Sequence, residues 1–176
     1  YFFHIFEDLI TERSALYVTR GISRKVFYRL FAKKIIMGVF FYEILKIIIY
    51  LIIGFLVYGK SFYISDFSFL IGMAVLNMVI EIGIIHMQMY LEIFNNSRIA
   101  LFAVLLYYLI SVIMGDVLFT NEIYGIPFIL FIPNAIMQLR LEVITITSIA
   151  FLIIGTILTV LVFMFGQMRF CRKDLL

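Results

Sequence analysis

Four long apolar runs decide what this chain can fold into. Residues 37–58, 67–90, 99–119 and 143–165 are each long enough, at about 1.5 Å per helical residue, to cross a hydrocarbon layer about 30 Å thick. They are rich in Ile, Val and Phe, which favour strands in water. Lipid overrides that preference, because a backbone that meets no water must satisfy its own N–H and C=O groups within each segment. The predicted fold class is therefore all-α, a polytopic membrane protein with four visible transmembrane helices. Composition agrees. Only 14% of residues are charged and 65% are hydrophobic, where soluble domains carry about a quarter charged residues. The polar positions that would cover a water-soluble core are missing over long stretches.

Lys and Arg set the orientation. Residues 11–34 hold Arg13, Arg20, Arg24, Lys25, Arg29, Lys33 and Lys34, and Arg169, Arg172 and Lys173 follow the last span. The intended outer loops carry only Lys60 and Arg140. The positive-inside rule then places both visible termini, and the short loop 91–98 with Arg98, on the cytoplasmic side of the cell membrane. Membrane topology accounts for the net charge of +3 better than nucleic-acid binding does. Cys171 is the single cysteine, so an internal disulfide is excluded, and no Cys/His spacing argues for zinc. The first apolar stretch, YFFHIF, is too short to span, so upstream sequence is expected.

Two shorter elements complete the reading. Ser23 can cap a helix in which Lys25, Arg29 and Lys33 recur every four residues beside Val26, Phe27, Leu30 and Phe31. This predicts an amphipathic helix lying on the inner membrane surface, with its cations on anionic lipid and Gly21 bending the chain before it. Residues 1–35, which end in this helix, form a first part, and residues 36–176 the transmembrane domain. Between the third and fourth spans, IPFILFIP is bracketed by Pro127 and Pro133 and followed by Asn134, Gln138 and Arg140. A re-entrant helical hairpin over about 123–141 fits this pattern, and a folded outer loop is the alternative.

Ionisable groups at membrane depth are costly and usually face protein or a watery path. Glu43 and Lys46 stand three residues apart in the first span, and Asn77 and Glu81 four apart in the second. Each pair shares a helix face and can serve as a clamp between helices or as a substrate path. The clamp is the preferred reading for Glu43 and Lys46, and for Glu81 both readings stand. His86 and Gln88 are expected near the inner boundary within reach of interfacial water, and Asp116 and Glu122 as boundary charges or exit contacts for a cationic substrate. No catalytic set or metal-ligand cluster is placed by spacing, so the chain is not read as an enzyme and no metal or cofactor is expected in it.

The segment 6–35 resembles the cytoplasmic stretch of the permease subunits of type-2 ABC exporters. The carriers of the resemblance are Glu12 and Arg13, then Arg20-Gly21-Ile22-Ser23-Arg24, and Lys33, with Gly21 standing where Pro is common. The order that follows is also similar: a hairpin, a further helix, an outer re-entrant element and a last helix with a basic tail. The resemblance implies a six-helix permease, of which Tyr1 to about Ile10 would be the end of the second helix. It implies ABC ATPase subunits as partners, holding ATP and Mg, and a second permease copy or a related permease. The chain itself lacks a phosphate-binding loop. Glu12, Arg13, Tyr17, Arg20, Ser23 and Arg24 would form the ATPase-coupling surface. The cargo implied is amphipathic or hydrophobic, with peptide export or bacteriocin immunity as the kind suggested. The alternative is a non-transporting assembly or sensory partner.

Overall fold

The computed structural model of the protein describes residues 21–59, 67–122, 133 and 145–172. Four helices make up almost all of it: α1 Arg24–Tyr58, α2 Phe67–Phe94, α3 Ser97–Thr120 and α4 Thr145–Arg172. No strand occurs among the described residues. Each helix is long and apolar enough to cross a membrane.

Ser23 starts α1. Its Oγ accepts a hydrogen bond from the Val26 amide at 3.4 Å, which satisfies an otherwise orphan donor, and its carbonyl accepts the first helical bond from the Phe27 amide at 3.0 Å. Gly21, at φ +77, makes the bend that brings the chain to this cap. From there α1 runs without interruption for 35 residues, about 52 Å, so that about 20 Å extends beyond a bilayer core. The basic stretch 24–35 is thus the first part of the spanning helix, not a separate helix lying on the surface. A buried stripe explains why. Tyr28, Ala32, Ile35, Val39 and Glu43 recur every three or four residues and face the protein, while Val26 and Leu30, expected to enter the headgroup layer, are half exposed.

The other boundaries move outward as well. The expected loop 91–98 shrinks to a tight turn at Asn95 and Asn96, where Asn96 Oδ1 accepts from the Arg98 amide at 3.1 Å. The fourth helix continues past 165 and takes Arg169 and Arg172 into its last turn. The re-entrant element expected at 123–141 lies outside the described residues apart from Pro133, which is buried. The helices expected to precede residue 11 fall outside them too.

Helix α2 is the centre of the bundle. It packs most extensively on α4 and also meets α1 and α3, and α1 touches α4. Gly83 meets Thr159 and Val79 meets Gly155, so α2 runs parallel to α4, and both are antiparallel to α1, whose Arg24 and Tyr28 meet Cys171 and Phe170 at the end of α4. Two kinds of packing hold these helices. At the basic end, an aromatic core joins Tyr28, Phe163 and Phe170, with ring centroids 5.5 and 5.6 Å from Tyr28, to Met89 and Ile93. Deeper in the bundle α2 and α4 approach through small residues: a Cβ at Gly83 would stand 2.7 Å from Thr159 Oγ1. Lipid tails offer no hydrophobic drive between helices, so close packing of small residues takes over there. The outward faces stay apolar, with Leu56 75% exposed, as expected of side chains that meet lipid.

Candidate functional site

The polar centre of the bundle lies between α1 and α2. Glu43 and Lys46 share one helix face and form an ion pair. Lys46 Nζ also donates to Glu81 Oε1 of α2 at 2.8 Å and sits 4.7 Å from the centroid of the Tyr42 ring. Burial differs among the three. The Glu43 side chain is 6% exposed, Glu81 25% and Lys46 36%. Two carboxylates therefore converge on one ammonium at membrane depth, a cluster of formal charge −1. A charge at the bilayer centre costs about 2.5–3.5 kcal/mol on insertion scales. Lys46 offsets that cost for the carboxylates while tying α1 to α2. The excess carboxylate leaves room for a proton or a cationic group.

Glu81, read from the sequence with Asn77 as a separate patch, thus joins Glu43 and Lys46 in one cluster. The signal for it was depth. Lys46 stands about 18 Å from the Tyr58 end of α1 and Glu81 about 21 Å from the Phe67 end of α2, both ends joined by one short connection. Asn77 lies one turn from Glu81 on α2, and its Oδ1 is buried without a hydrogen-bond partner among the described residues.

At the basic end, Arg24, Lys25, Arg29, Lys33 and Lys34 of α1 gather with Arg98 of α3 and Arg169 and Arg172 of α4. Arg24 Nη1 donates to the carbonyl of Cys171 at 3.4 Å, where carbonyls at the end of α4 have no intrahelical partner. Gln167 Nε2 donates to the Lys25 carbonyl at 3.4 Å, so the start of α1 and the end of α4 are stitched from both sides. Ser23 and Arg24 are the members of the expected coupling surface that the structure describes. Glu12, Arg13, Tyr17 and Arg20 lie outside the described residues.

Three positions differ from expectation. His86 is not at a wet boundary: it is 1% exposed, its Nδ1–H donates to the Ile82 carbonyl at 2.7 Å, and its ring stands edge-on to Phe163. Gln88 does not reach for water either, since its Nε2 donates to Glu92 Oε1 at 2.8 Å. Glu92, which falls in the stretch expected to be a loop, is buried and also accepts from Ser97 Oγ at 3.3 Å. That carboxylate locks the α2–α3 turn. Asp116 and Glu122 are exposed at the opposite end from the cations. No group of three or more potential metal ligands is gathered among the described residues.

The chain matches, over residues 1–176, the family described as a protein of unknown function, DUF2705. Neither a curated protein nor a solved structure matches it.

Proposed function

We propose that this chain, which belongs to the DUF2705 family, is the membrane-spanning permease subunit of an ATP-driven exporter of the type-2 ABC class. One observation carries the reading. Helix α1 is a single uninterrupted rod that begins at Ser23 and Arg24, directly after the segment resembling a coupling surface, and reaches Glu43 and Lys46, which hold α2. A push on its basic end is delivered to the polar centre with little loss, because an α-helix is stiff along its axis and its partners are packed side chains. In this reading the basic end lies in the cytoplasm. ABC ATPases, loaded with ATP and Mg, close beneath it, and a second permease copy or a related permease completes the pathway. The cargo is amphipathic or hydrophobic, an antimicrobial peptide being the kind that the resemblance favours.

The test is affinity capture of the full protein from its native membrane in mild detergent. The reading expects a cytoplasmic ATPase with a phosphate-binding loop to co-purify, and to be lost when residues 12–20 are replaced by a flexible Gly/Ser stretch. Unchanged capture and ATPase stimulation after that replacement would sink it.

A further inference from the structure

The face of α2 turned away from the Glu43–Lys46–Glu81 cluster carries a second feature. Between α2, α3 and α4 lies an apolar cavity of about 230 Å³, whose walls include Gly83, Met87, Tyr107, Gly155, Thr159 and Val162. Gly83 and Gly155 add no side chain to its floor, and it sits beside α3, whose extensive packing among the described residues is with α2 alone. A void of this size between packed helices forfeits dispersion contacts along its walls. In a bilayer the molecule at hand to fill it is a lipid chain.

Two arginines stand between the cavity and the basic end of the bundle. Arg169 stands seven residues beyond Val162 on α4, about 10 Å along the axis, and Arg98 stands nine residues before Tyr107 on α3, about 13 Å. The guanidinium of Arg169 lies over the ring of Phe94, 5.7 Å from its centroid, and so against the same turn from which Arg98 projects. Both arginines are exposed. Glu92, the one carboxylate at this end among the described residues, is buried and bonded to Gln88 and Ser97. Two exposed guanidiniums near the basic end of the bundle, with an apolar cleft deeper between the helices, match a phosphate with a chain beneath it.

We propose that the cleft beside α3 and α4 binds one anionic phospholipid, with its phosphate between Arg98 and Arg169 and one acyl chain in the cavity over Gly83 and Thr159. This site is separate from the ion cluster and does not depend on the exporter reading. A bound lipid there would cement α3 to the rest of the bundle.

The chain has no tryptophan, so a single introduced indole reports on the site alone. The full protein carrying Leu158→Trp, a substitution in the cavity wall, is reconstituted in phosphatidylcholine vesicles containing either dibrominated phosphatidylglycerol or dibrominated phosphatidylcholine. Leu105→Trp, on the exposed side of α3, serves as the bulk-lipid reference, and Tyr107→Trp replaces the first variant if that one fails to insert. The phosphatidylglycerol is expected to quench the cavity indole with a relative association constant on the order of tenfold above phosphatidylcholine. The reference indole shows no preference, and Arg98→Gln with Arg169→Gln brings the ratio at the cavity to within about twofold of unity. Equal quenching by the two lipids in the cavity would overturn the proposal, as would a preference that survives the double replacement. So would a cavity indole untouched by either lipid while the reference is quenched, which would mean that protein fills the cleft.

Discussion

Replacing Lys46 by methionine isolates what the ion cluster contributes. Met preserves most of the length and volume of the lysine stem but removes the ammonium, and leaves Glu43 and Glu81 facing each other across α1 and α2. Taking one partner from a buried ion pair costs about 3–5 kcal/mol, mainly because a charge stays behind unpaired. The Lys46 side chain is 36% exposed, and polar contacts within membranes average well below 1 kcal/mol in double-mutant cycles. The expected loss is therefore about 2–3 kcal/mol. Adding Glu43→Gln and Glu81→Gln removes both stranded charges, so the triple variant should return to within about 1 kcal/mol of the parent. The assay is reversible unfolding in mixed micelles with rising sodium dodecyl sulfate, followed by far-ultraviolet circular dichroism and checked for two-state behaviour. The reasoning fails if Lys46→Met lies within about 0.5 kcal/mol of the parent. It fails equally if the triple variant is no more stable than the single one.

Other expectations use the same assay or simple chemistry. The Tyr28 hydroxyl is buried without a hydrogen-bond partner among the described residues, so Tyr28→Phe should be neutral or stabilising by up to about 1 kcal/mol. Gly166→Ala would drive a methyl into that hydroxyl and should cost about 1–3 kcal/mol, with part of the loss recovered in combination with Tyr28→Phe. Gly83→Ala, whose methyl would stand 2.7 Å from Thr159 Oγ1, should loosen α2 from α4 by a similar amount, and Thr159→Ala should rescue it. Cys171, the single cysteine, is partly exposed at the basic end, so a membrane-impermeant maleimide should label it in inside-out vesicles and not in right-side-out ones.

The four spans could be read in the sequence because lipid leaves an apolar segment only one way to satisfy its backbone. Their ends were harder to see, and the reasons are chemical. Lys25, Arg29 and Lys33 look like the polar face of a surface helix, yet the same stretch carries the buried stripe Tyr28, Ala32 and Ile35 that seats it on α4 and α2. In a chain with 20 Phe and 11 Tyr residues, that stripe has little contrast with its surroundings. Glu92 reads as loop because it is charged, whereas Gln88 and Ser97 supply the partners that let it be buried. His86 likewise reads as interfacial, though a backbone carbonyl within its own helix satisfies it. Glu43 and Lys46 were legible as a pair from spacing alone. Their union with Glu81 required matching depths across two helices.

The central claim is that α1 carries force from a cytoplasmic ATPase to the membrane interior. Its most direct test is ATP hydrolysis by the captured assembly in vesicles, compared between the parent protein and the variant with residues 12–20 replaced. An ATPase is expected to accompany the parent chain, and the hydrolysis recovered with the chain to fall at least about tenfold when that segment is replaced, because the ATPase is lost with it, while the four helices remain intact. A correctly inserted parent chain that brings no ATPase with it, or an ATPase whose turnover is indifferent to residues 12–20, would contradict it.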